Sequence, residues 1–75
     1  MEEKLKEILS TVLKIELGHI GEETTAEHIS SWDSLNHIKI LTLIEDEFDV
    51  EFEDEQILKM NSFQEIYDVL NTLDQ

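Results

Sequence analysis

The stretch SSWDSLNHIKI, residues 30–40, gathers the side chains whose types and spacing could do chemistry. Ser34 and His37 stand three apart at what reads as the first turn of a helix, near enough to pair as nucleophile and base. Acyl transfer by such a pair also needs an orienting acid, an oxyanion hole and a pocket. No G-x-S-x-G elbow surrounds Ser34, and a 75-residue helical chain offers little room for a pocket. The nucleophile reading therefore falls, and His37 is expected to be an ordinary helix residue packed at the edge of the core.

Two other sets of residues invite a metal. Asp49, Glu51, Glu53 and Glu55 alternate like the ligands of a calcium loop. That loop requires Asp or Asn at its first, third and fifth positions, glycine at the sixth and Glu at the twelfth. No glycine follows, so these acids read as a solvated face with loose affinity for divalent ions. His19 and His28 are isolated in a loop and read as incidental.

A third use of Ser34 is attachment. Ser34 stands where a helix cap belongs, and the first N–H groups of a helix, with its dipole, favour an anion. A phosphodiester on this serine would sit at a point where the backbone favours negative charge. Leu35 and Ile38 beside it would give a modifying enzyme something apolar to grip. A serine that merely caps explains the same residues, and local physics alone leaves both readings open.

The elements that must position this stretch are legible from apolar spacing. Leu5, Ile8, Leu9, Val12 and Leu13 form the stripe of an amphipathic helix, expected over 2–16 with Gly18 as its stop. Periodicity then disappears from Gly18 to Asp33, a connection long enough to be functional or locally packed. Ile20, Ile29 and Trp32 are its expected anchors. A second helix is expected over 34–48, with Ile40, Leu41, Ile44 and Phe48 on its inner side and Leu35 and Ile38 nearer its polar side. Residues 49–53 read as a loop and 54–59 as a short helical turn presenting Ile57 and Leu58. Ser62 and Glu65 fit a capping box that opens a last helix through Phe63, Ile66, Tyr67, Leu70 and Leu73. The expected fold is all-α: a small four-helix bundle of three longer helices and one short one, with a long loop between the first and second.

Composition bounds the function. Residues 1–75 suit one small domain, and the absence of cysteine rules out disulfides, thiolate metal sites and a thiol of the chain's own. Nineteen acids against five bases give a formal charge of −14. Nucleic acid and anionic membranes are poor partners for such a surface, and proteins with basic patches are good ones. The apolar fraction of 40%, periodically arranged, argues for a folded chain despite the acidity. The N-terminus MEEKLKEIL lacks the basic start and apolar core of a signal peptide, so a cytoplasmic location is expected.

Taken together, the chain resembles the acyl carrier proteins over nearly its whole length. The resemblance rests on Asp33-Ser34-Leu35 opening the second helix after a long loop. It continues through an apolar helix running into IEDEFDVEF, a short acidic helix, and a final helix opened by NSFQEI. It implies that Ser34 carries a covalent 4′-phosphopantetheine arm, transferred from coenzyme A by a phosphopantetheinyl transferase. The arm's thiol would hold acyl or aminoacyl groups as thioesters, supplying the thiol that the chain lacks. The resemblance further implies a monomer that catalyses nothing itself. Its partners would be an acyl- or aminoacyl-loading ligase and downstream synthase or transferase enzymes, with no nucleic acid and no membrane. Asp33 and Leu35 would be read by the transferase, and Ile38, Glu45 and Asp46 would meet partner enzymes.

Three positions depart from the pattern of fatty acid synthesis carriers. Ser31 stands in place of the usual glycine, Asn36 replaces an acid, and Lys39 replaces another. The W-D-S-L-N-H form looks more like stand-alone carriers of specialised bacterial pathways. The competing function is an unmodified acidic inhibitor or adaptor, which accounts for the charge and leaves the D-S-L context unexplained.

Overall fold

A computed structural model describes residues 2–73. Four helices follow in order: α1 (Glu2–Leu13), α2 (Ser34–Phe48), α3 (Asp54–Lys59) and α4 (Phe63–Leu73). A single 3-10 turn, Leu17–His19, interrupts the long connection between α1 and α2. This is the expected all-α bundle with one short helix. The core collects Leu5 and Leu9 of α1, Ile40 and Ile44 of α2, Met60 after α3, and Ile66 and Leu70 of α4, all fully buried. On α2 the inner side is the expected one, with Ile40, Leu41 and Ile44 buried and Phe48 packed against them.

The end of α1 differs from the sequence expectation. The helix stops at Leu13, short of residue 16, and Gly18 is not its stop signal. Lys14 turns into the left-handed region (φ 59°), and the Ile15 N–H donates to the Ser10 carbonyl at 3.2 Å. That six-to-one bond is a Schellman ending, which usually recruits glycine. The same device closes α2, where Asp49 has φ 55° and the Val50 N–H reaches the Glu45 carbonyl at 3.1 Å. Neither glycine has a positive φ.

The long loop is anchored as expected, with Ile20 and Trp32 buried and Ile29 packed against the core. Its backbone is also pinned where no periodicity marks it. Thr25 pairs with Ser62 in an isolated antiparallel bridge. The Ala26 N–H donates to the Asn61 carbonyl at 2.7 Å and the Phe63 N–H to the Thr24 carbonyl at 2.9 Å. The loop is thereby tied to the entry of α4. There Ser62 Oγ accepts the Glu65 N–H at 3.1 Å, half of the expected capping box. The Glu65 carboxylate takes the Asn61 N–H at 3.3 Å and the Ser62 hydroxyl at 3.1 Å, so the reciprocal half is displaced by one residue. A full capping box occurs at Glu53 and Gln56, opening α3.

Candidate functional site

The loop reaches α2 at Asp33, and the first helical residue is Ser34. The cap is Asp33: its carboxylate accepts the Asn36 N–H at 2.8 Å. This corrects the reading that puts Ser34 at the cap. Aspartate is among the best capping residues, and its extended backbone here (φ −100°, ψ −177°) has the usual cap geometry. With that duty taken, the Ser34 hydroxyl stands exposed on the first turn, where N–H groups have no helical partner.

Two chains of hydrogen bonds fix the surroundings. In the first, Asn36 Nδ2 donates to the Ser31 carbonyl at 2.7 Å, and Ser31 Oγ donates to the Leu13 carbonyl at 2.9 Å. A carbonyl at the end of α1 is thereby joined to the first turn of α2. In the second, the Trp32 indole N–H donates to His37 Nδ1 at 3.0 Å, and His37 Nε2 lies 2.8 Å from the Ile57 carbonyl of α3. An indole can only donate, so Nδ1 must accept and Nε2 must carry the proton. His37 thus gives its Nε2–H to a carbonyl in the last turn of α3. The expectation of an ordinary core-edge residue understates it.

Beside Ser34 lies an open groove of about 380 Å³, formed by Trp32, Ser34 and His37 with Ile38, Ile57 and Leu58. Its rim is apolar and accessible: Ile38 is 52% exposed and Leu58 76%, and Leu35 next to Ser34 is 66% exposed. Leu35 and Ile38 face outward as expected. The two acids expected to meet partners are placed differently. Asp46 is exposed, in a shallow depression shared with Lys4 and Leu43. Glu45 is half-buried, and its Oε2 accepts the Phe52 N–H at 2.8 Å, so this carboxylate holds the turn after α2.

The alternating acids also divide between tasks. Asp49 occupies the left-handed end of α2 and Glu53 caps α3. Among the described residues no three His, Cys, Asp or Glu side chains converge as metal ligands. His28 Nδ1 lies 3.0 Å from Thr25 Oγ1 within a local turn. No helix among the described residues is long and apolar enough to cross a membrane.

An exposed serine on a helix's first turn, with its cap supplied by a neighbour, is geometry suited to holding an anionic group. The family model described as "Phosphopantetheine attachment site" matches residues 3–70. The chain belongs to this acyl carrier family. An acyl carrier protein of Buchnera aphidicola subsp. Schizaphis graminum is 35% identical over 71 residues, covering 95% of this chain and 90% of that protein. One from Thermosynechococcus vestitus is 29% identical over 69 residues, covering 92% and 85%. The chain is a carrier protein whose covalent prosthetic group is 4′-phosphopantetheine, on which acyl intermediates are held as thioesters. The carrier's bundle is the platform, and the bound arm supplies the thiol chemistry that a chain without cysteine lacks.

Trp32 and His37 are the residues whose partnership local sequence reasoning misses. They are five apart across a loop–helix junction, and the Ile57 carbonyl is 20 residues further on. The one sequence signal is the pairing of the only tryptophan with a histidine beside the D-S-L turn.

Proposed function

We propose that Ser34 Oγ is the atom that carries the arm, in a carrier that presents acyl or aminoacyl groups to partner enzymes and catalyses nothing itself. The observation that supports this most is the division of labour at the start of α2. Asp33 caps the helix, which leaves the Ser34 hydroxyl exposed beside unsatisfied N–H groups and next to an apolar groove. A phosphodiester formed there meets the positive end of the α2 dipole, in a chain whose net charge of −14 offers few other welcoming places.

The exposed surface supports a set of partners. A phosphopantetheinyl transferase reads Asp33 and Leu35 around the hydroxyl. A loading ligase and downstream synthase or transferase enzymes grip Leu35 and Ile38 and bring basic patches to the exposed acids, Asp46 among them. Glu45 contributes charge to that face while serving the turn at Phe52. Tethering lets one carrier present cargo to several enzymes at high effective concentration. Residues 1–75 act as one domain, monomeric and cytoplasmic. The W-D-S-L-N-H form and Lys39 favour a stand-alone carrier of a specialised bacterial pathway over the housekeeping one.

Intact mass after incubation with coenzyme A and a broad-specificity phosphopantetheinyl transferase tests the assignment. The wild type gains one phosphopantetheine, and Ser34→Ala gains none. Gain by Ser34→Ala would move the site elsewhere, and an unmodified wild type would return the acidic adaptor to first place.

A further inference from the structure

The groove beside Ser34 has a floor with a crossbar. His37 belongs to α2 and Ile57 to α3, so the Nε2–H to carbonyl bond of 2.8 Å spans the two helices. The Trp32 indole locks the imidazole from behind at 3.0 Å, with ring centroids 6.2 Å apart. Trp32 is itself 5% exposed, so the brace is built into the wall of the core and not laid on its surface. Beyond it lie Ile40, Ile44 and Met60, all with zero exposure.

An apolar group held near Ser34 gains by leaving water, and the core is the driest place within reach. To enter between α2 and α3 it must part His37 from Ile57. That strands a carbonyl at the end of α3, because the Asn61 N–H donates to Lys59 and Asn61 Nδ2 to Leu58. It also frees the indole N–H, and it forces apart side chains that are fully buried against one another. The groove itself needs none of this, being already open and lined by Ile38 and Leu58.

We propose that Trp32 and His37 set the cargo of this carrier, by bracing α2 against α3 across the groove floor and so keeping the acyl group in the groove and out of the core. His37 is a positioning residue in this scheme, and Trp32 orients it. The carrier then suits short acyl or aminoacyl groups, which the groove accommodates, and gives no shelter to long chains. The inference rests on Ser34 as the attachment point.

The test loads the full chain with acetyl, hexanoyl and decanoyl arms from the matching acyl-coenzyme A and a phosphopantetheinyl transferase. Each product is confirmed by mass before its thermal midpoint and methyl NMR spectrum are recorded. The wild type shows the same midpoint for all three arms, with methyl shifts confined to Ile38, Ile57 and Leu58. A midpoint that climbs with chain length, together with shifts at Ile40 and Ile44, overturns the proposal. In His37→Ala the crossbar is gone, and the decanoyl form melts several degrees above the acetyl form of the same variant. His37→Gln keeps a donor near the Ile57 carbonyl and stays insensitive to chain length, which separates bracing from a general loss of stability. A His37→Ala chain that is equally insensitive also overturns the proposal. Failure of the wild type to gain any arm overturns the Ser34 assignment and the inference with it, whereas normal loading with length-dependent melting overturns the inference alone.

Discussion

Asn36 holds the carbonyl of Ser31 at 2.7 Å, and Ser31 holds the carbonyl of Leu13 at 2.9 Å. Both residues depart from the pattern of fatty acid synthesis carriers, and in the structure they act together. A glycine at 31 has no hydroxyl for the end of α1, and an acid at 36 has no N–H for the loop. Together they form an uncharged brace between the end of α1 and the first turn of α2.

Asn36→Asp therefore destabilises the chain. A carboxylate at this position gains about 0.3–1 kcal/mol from the α2 dipole. It loses a partly buried hydrogen bond and faces a carbonyl it cannot satisfy, at about 1–3 kcal/mol. The net loss of roughly 1 kcal/mol lowers the thermal midpoint by about 4–8 °C in a domain of this size. A midpoint equal to or above wild type contradicts the brace.

The cap assignment makes a second prediction. Asp33→Ala costs about 1 kcal/mol in urea unfolding, whereas Asp33→Asn and Asp33→Ser cost much less because each keeps an acceptor for the Asn36 N–H. Ser34→Ala, which removes no cap, leaves stability within about 0.5 kcal/mol of wild type. Equal losses at the two positions would show that the serine shares the cap.

Lys14 tests the end of α1. A lysine at φ 59° carries a left-handed penalty of roughly 1–2 kcal/mol that glycine avoids, partly offset by the greater unfolded-state entropy of glycine. Lys14→Gly accordingly raises the urea midpoint, with a gain of up to about 1 kcal/mol. A fall in the midpoint would mean that the lysine side chain stabilises the fold by more than its backbone strains it.

Charge repulsion predicts a salt effect. The ion pairs found among the described residues, Lys4 with Glu7 and Glu47 and the half-buried Lys6 with exposed Glu2, lie at the surface and contribute little. At about 0.01 M salt the screening length is roughly 30 Å, comparable to the molecule's own extents of 29 × 23 × 19 Å, so every acid repels every other. At about 0.15 M it falls to roughly 8 Å. Thermal melts across that range should show a rising midpoint, with magnesium effective at lower concentration. A flat response would show that the acids are too dispersed to matter.

The helices were legible because their information is local. Apolar spacing placed the inner side of α2 at Ile40, Leu41 and Ile44, and the outward Leu35 and Ile38 stood apart from it. Local signals misled where two residues compete for one role. Asp33 and Ser34 are both good caps, and only backbone geometry shows that the aspartate takes the duty. Gly18 is the better left-handed residue, yet Lys14 takes that conformation and α1 ends at Leu13. Contacts across the chain carried no periodic signal at all. The Thr25–Ser62 bridge, Glu45 on Phe52, and His37 on Ile57 each join segments that the fold alone brings together.

The central claim is that the arm is borne by Ser34 and by no other serine. Ser30 and Ser31 lie within the same tryptic peptide as Ser34, residues 15–39, so the mass of that peptide alone does not separate them. Fragmentation of that peptide from the modified chain does. The account predicts that the phosphopantetheine mass appears only on fragments that include Ser34, leaving those that end at Asp33 unmodified. The added mass on fragments ending at Ser31 would contradict it.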